Sequence, residues 1–114
     1  MTRIGLIGCG IWGRNLARNL ASLGVLIGVA DQNSAHAEEF AGEFGTGHAP
    51  VDELLAGHNL DGVVISSAAP THANLACQAL ECGLHAYVEK PFALTLAEAN
   101  RMAAAATKAK KQLM

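Results

Sequence analysis

Arg3-Ile-Gly-Leu-Ile-Gly-Cys-Gly-Ile-Trp-Gly-Arg-Asn15 is a short apolar run that breaks into three spaced glycines and then reads as a helix. A strand that ends in Gly8-x-Gly10-x-x-Gly13 and opens a helix has the pattern of a dinucleotide-binding turn. Gly8 lets the chain turn sharply, Gly10 lets backbone approach a pyrophosphate, and Gly13 lets the helix lie close against the strand. The N–H groups at the helix start lack intrahelical acceptors and so face the phosphates. Glycines cluster in many surface loops, and the weight of this pattern comes from its place between a strand and a helix.

Outward from this turn the chain alternates strands and helices. Leu16, Leu20 and Leu23 recur at helical spacing after the glycines, and Gly24 is placed to stop that helix. Val25 to Ala30 is a continuous apolar run that ends at Asp31, as expected of a parallel strand buried on both faces. Ser34 caps a second helix to about Phe44, with Phe40 and Phe44 one turn apart on its inner face. Gly45 to His48 reads as a short strand or its approach, and Val51 to Ala56 as a short helix behind Pro50.

Asp61-Gly-Val-Val-Ile-Ser66 is the next strand. Pro70 and Thr71 start a helix through Cys82, stopped by Gly83, and His85-Ala-Tyr-Val88 follows as another strand. Thr95-Leu-Ala-Glu98 is a capping box that opens an alanine-rich helix to about Lys111. Gln112-Leu-Met114 looks like the first residues of a sixth strand. The order β-α-β-α-β-α-β-α-β-α predicts an α/β fold in three layers, with a doubly wound parallel sheet and right-handed crossovers.

The 114 residues are 51% hydrophobic and 16% charged, with a formal net charge of −2, which suits one domain with a real core. No apolar run approaches the length of a membrane span, and the opening Met-Thr-Arg leads directly into the first strand. A cytoplasmic location with no membrane partner is the expectation. Lys and Arg stand at 3, 14 and 18 and then not until Lys90, so no basic stripe tracks a nucleic-acid backbone. Cys9, Cys77 and Cys82 read as reduced, buried thiols. The five histidines show no metal-ligand spacing, and no metal is expected.

Asp31 follows the second strand about 20 residues past the glycines, where an acidic side chain accepts hydrogen bonds from adenosine ribose hydroxyls. That favours NAD over NADP, because a 2′-phosphate would face the Asp31 charge and Gln32 to Ala35 hold no Arg or Lys, which leaves Arg14 as the cation that could swing across. Without the glycines, an Asp in this position reads equally well as a turn or cap residue. Glu89-Lys90-Pro91-Phe92 forms a third group after the last complete strand. All strand C-termini of a parallel sheet share one edge, so the glycines, Asp31, the Ser66 to His72 loop and Glu89-Lys90 converge on one crevice. There a partly buried lysine can polarise an alcohol oxygen and exchange a proton as a hydride moves. A salt-bridged strand-end lysine is the structural alternative.

Gly8-Cys-Gly-Ile-Trp-Gly13, Asp31, Pro70-Thr-His72 and Glu89-Lys-Pro91, in that order and spacing, resemble the N-terminal Rossmann domain of the glucose-fructose oxidoreductase, inositol dehydrogenase and MocA family. The resemblance covers essentially the whole chain, residues 1–114. Gly8-Cys-Gly-Ile-Trp-Gly-Arg-Asn15 with Asn19-Leu20 is most similar to the branch that oxidises the 3-hydroxyl of UDP-N-acetylglucosamine-type sugar nucleotides. The resemblance implies that Gly8, Gly10, Ile11, Trp12 and Gly13 hold the pyrophosphate and Asp31 the adenosine ribose. It implies that Ser66, Ser67, Ala68 and His72 line the nicotinamide half, that Glu89 sits against the nicotinamide riboside, and that Lys90 is the catalytic lysine, across a cis bond to Pro91.

Family members carry a second α/β domain after the sixth Rossmann strand, with the substrate surface and a further catalytic residue. The expectation is therefore an NAD-binding domain cut at the start of the sixth strand, inactive alone, whose parent transfers hydride between nicotinamide and a sugar or sugar-nucleotide hydroxyl. Its last helix is expected to lack a sheet partner and to leave an edge that invites self-association. The competing reading is a stand-alone nucleotide-binding or regulatory module without catalysis.

Overall fold

Strand β1 (Ile4–Ile7) is the centre of a parallel sheet ordered β3-β2-β1-β4-β5, with β2 at Leu26–Ala30, β3 at Gly47–His48, β4 at Gly62–Ile65 and β5 at His85–Val88. The computed structural model describes residues 1–114. Residues 112–114 add to β5, with the Met114 N–H donating to Ala86 O at 3.0 Å and the Val88 N–H to Met114 O at 2.8 Å. The chain order reverses direction at β1, so the C-terminal ends of β1, β2 and β4 border one crevice.

Alternation along β1 separates two cores. Leu6 faces α1 (Ile11–Ser22) and α2 (Ser34–Phe44), where it meets Val29, Ala17 and Phe40. Ile7 faces the opposite layer of α3 (Val51–Gly57), α4 (His72–Glu81) and α5 (Leu96–Ala109), with Ala30, Ile65 and Leu80. Two glycines in the strands make room for α3 and for Leu60 in the loop that follows it. A Cβ on Gly28 would stand 2.9 Å from a methyl of Leu54, and one on Gly5 would stand 2.7 Å from Leu60 and 3.3 Å from Leu54. On the layer of α1 and α2 the cover stops short of β5, whose His85 and Tyr87 stay exposed.

Several local expectations change. Asn33, rather than Ser34, caps α2: its side-chain oxygen accepts from the Ala35 N–H at 3.0 Å, and Ser34 is already the first helical residue. Residues 69–71 form a 3₁₀ turn before α4. Thr95 caps α5 by accepting from the Glu98 N–H, but the Glu98 carboxylate accepts from Leu94 N–H, one residue before the cap. Of the three thiols expected to be buried, only Cys9 is; Cys77 is half-buried and Cys82, past the packed face at the α4 C-cap, is exposed. The last helix packs on α4, with Met102 fully buried in the core, and residues 112–114 join β5. No helix is long and apolar enough to cross a membrane.

A Cβ on Gly13 would lie 2.2 Å from the Gly8 carbonyl oxygen, a backbone atom that cannot swing aside. Gly13→Ala is expected to lower the unfolding free energy by about 2 kcal/mol or more, read from the urea midpoint. An unchanged midpoint would show that α1 can lift from β1 without loss.

Candidate functional site

The crevice floor is the turn from β1 into α1. Gly8 has φ +109°, a left-handed value that favours glycine, and its N–H donates to Ala30 O at 2.9 Å. A Cβ there would stand 2.5 Å from the Ser66 carbonyl carbon and the Ser67 nitrogen, so the glycine also lets the β4 loop approach. The Ser66 hydroxyl completes the contact by donating to Gly8 O at 3.0 Å. Gly10 behaves differently. As N-cap of α1 it has φ −94°, and a Cβ on it would meet nothing within 4 Å. The fold does not need that glycine; the space beside it is open. No side chain caps α1, so its first N–H groups remain free to meet an anion.

Asp31 stands half-buried at the end of β2, where Cys9 N–H donates to its Oδ2 at 2.6 Å and Asn33 N–H to its Oδ1 at 2.7 Å. The glycine loop therefore orients the carboxylate through backbone alone. Beside it opens a cavity of about 580 Å³, bordered by Gly8, Gln32, Val51, Ser67, Ala68 and Leu75. Gln32, Val51 and Leu75 belong to no sequence motif. Their signal is positional, since each lies within a residue or a turn of a strand's C-terminal end or of a helix start at that edge.

A second hollow, of about 410 Å³, is lined by Trp12, Ser66, Ser67, Glu89 and Lys90. Trp12 is half exposed, and its indole N–H donates to Glu89 Oε2 at 2.7 Å, a bond between residues 77 positions apart. The other Glu89 oxygen accepts from Lys90 N–H at 3.2 Å. Lys90 is exposed, contrary to the expected partial burial, because nothing in the chain packs over its side chain. The Lys90–Pro91 peptide bond is cis.

Ile11 is 90% exposed at the start of α1. His72 is only 1% exposed. Its Nδ1 lies 2.8 Å from Pro91 O and its Nε2 2.8 Å from Ser67 O, so the ring ties the β4 loop to the β5 loop from beneath. Carbonyl oxygens only accept, and the ring bonds to both when both nitrogens carry protons.

Burial, with the Asp31 carboxylate second, pushes the Cys9 thiol up to about 12, against the opposing charge of Arg14. A thiol held protonated is a poor nucleophile. In the folded chain at pH 8, iodoacetamide is expected to label exposed Cys82 and spare Cys9, as peptide mass spectrometry would read. Equal labelling of the two would contradict the buried, protonated state.

A family model described as an oxidoreductase family with an NAD-binding Rossmann fold matches residues 2–114. The UDP-N-acetylglucosamine 3-dehydrogenase of Acidithiobacillus ferrooxidans is 40% identical over 101 residues, covering 88% of this chain and 32% of that protein. A solved structure of that dehydrogenase superposes with TM-score 0.90 at 36% identity, over 97% of this chain and 36% of the other. The WlbA dehydrogenase of Chromobacterium violaceum, solved in complex with NADH and UDP-GlcNAcA, superposes with TM-score 0.93 at 31% identity, over 99% of this chain and 34% of the other. The chain spans about a third of the length of the curated relatives it matches. With its Rossmann sheet, its glycine turn and a match along nearly its whole length, the chain belongs to the glucose-fructose oxidoreductase, inositol dehydrogenase and MocA family of oxidoreductases.

Proposed function

We propose that this chain is the cofactor-binding domain of an NAD-dependent dehydrogenase that moves hydride between nicotinamide and a hydroxyl-bearing carbon of a sugar or sugar nucleotide. The observation that carries the reading is the Asp31 carboxylate, fixed at the crevice edge by two backbone N–H groups and open to the larger cavity. An ionised carboxylate has about four lone-pair sites, so each oxygen keeps capacity for one ribose hydroxyl. The open space at Gly10 and the uncapped start of α1 suit a pyrophosphate. Sugar or sugar-nucleotide chemistry is supported by the relatives, among them the UDP-N-acetylglucosamine 3-dehydrogenase.

The residues of the second hollow have complementary work. Glu89, oriented by the Trp12 indole, accepts from the hydroxyls of the nicotinamide riboside. Lys90, exposed at the same hollow, acts as the neutral amine: its Nζ lone pair takes the proton of the substrate hydroxyl as hydride leaves the carbon and the carbonyl forms. The resulting ammonium returns that proton when the reaction runs in reverse. His72 and Ser66 keep the two loops in register behind these groups. When bound, nicotinamide supplies the hydride acceptor. We assign substrate selection to a further domain of the parent protein.

Isothermal titration with NAD tests this directly. Asp31→Ala is expected to weaken NAD at least tenfold. Gly10→Ala is expected to weaken it comparably while the urea midpoint shifts by no more than the ~1 kcal/mol cost of alanine at an N-cap. The pair of readouts separates a ligand role from a folding role, and full NAD affinity in both variants would sink the crevice reading. The 114-residue chain is expected to oxidise no sugar; steady NADH formation from UDP-N-acetylglucosamine by this chain alone would overturn the assignment of the substrate site elsewhere.

A further inference from the structure

Arg14 is the only basic side chain of the first helical turn after the glycines, and no Lys or Arg occurs between Arg18 and Lys90. A 2′-phosphate on the adenosine ribose would therefore depend on Arg14 for a counter-charge. The structure holds that guanidinium elsewhere. It lies 4.8 Å from the centroid of the Phe40 ring and is paired with the Glu43 carboxylate, both on α2. Phe40 is buried and braced edge-on by Phe44, so the ring is a fixed platform. Helix α2 begins three residues after Asp31, and its cap, Asn33, donates its N–H to Asp31. Arg14 nonetheless starts from the ribose edge: its backbone N–H donates to Gly10 O at 3.0 Å, and Cys9, the residue before Gly10, donates its N–H to Asp31 Oδ2 at 2.6 Å.

We infer that Glu43 is a positioning residue for cofactor choice: by pairing with Arg14 over the Phe40 ring, it withholds the one nearby guanidinium from a 2′-phosphate and leaves Asp31 to select NAD. This rests on the reading of the Asp31 edge as the adenosine-ribose site. The pair is solvent-exposed and so individually weak. Its effect is accordingly a bias of several-fold in the ratio of the two nucleotides.

Titration of the 114-residue chain with NAD and NADP at low ionic strength provides the test. Glu43→Gln is expected to tighten NADP three- to tenfold and to leave NAD within twofold. Arg14→Gln is expected to leave the weak NADP affinity of the wild type unchanged, and Glu43→Gln combined with Arg14→Gln to lose the gain. Glu43→Asp, which can keep the pair, is expected to behave as wild type. A gain that survives in the double variant would mean that removal of a negative charge suffices, and would refute the role of Arg14. So would a fall in NADP affinity on Arg14→Gln alone, because the guanidinium would then already be engaged. Unchanged NADP affinity in Glu43→Gln, with NAD still dependent on Asp31, overturns this inference and spares the ribose site. A wild-type chain whose NAD affinity ignores Asp31 removes both.

Discussion

The contact between Gly13 and the Gly8 carbonyl oxygen is the constraint on which the site depends. A methyl group on Gly13 would come within 2.2 Å of that oxygen, so only a residue without a side chain lets α1 start this close to the end of β1. The same oxygen receives the Ser66 hydroxyl from the end of β4. One carbonyl thus gathers the first helix and two neighbouring strand ends. Any side chain at Gly8 or Gly13 would push these elements apart and widen the crevice at its floor.

From that floor the glycine turn reaches both halves of the site. Cys9 N–H holds Asp31 on the side of β2, and the Trp12 indole holds Glu89 on the side of β5. Two carboxylates that came from distant parts of the chain are oriented by residues three apart. The charge of each is met by N–H donors held in fixed geometry. His72 contributes from below, where a buried ring joins the loops that carry Ser67 and Pro91.

Much of this was legible in the residue order because each signal is local. Gly24, Gly45 and Gly83 follow helices in left-handed conformations that glycine adopts without cost, and each end falls where sequence placed it. The strand runs are apolar because both faces of β1 and β2 are covered. Asn33 and Ser34 show where local signals fail. Both are good caps, and the choice between them follows from the path of the chain out of Asp31, whose side chain claims the Asn33 N–H. The exposure of Cys82 and of Lys90 has the same origin, since burial depends on which element covers a residue and not on its own chemistry.

Residue order alone carries the succession of elements, the glycines that permit a tight turn and the acidic and basic residues that end the strands. Periodicity and steric freedom are properties of a few neighbouring residues, so they can be read along the chain. Tertiary structure alone decided that Trp12 bonds Glu89, that His72 bridges two loops out of reach of solvent, and that Arg14 lies over Phe40 against Glu43. Each of these unites residues from different strands or helices. Their distances follow from the register of the parallel sheet and the close seating of α1, which no single segment encodes.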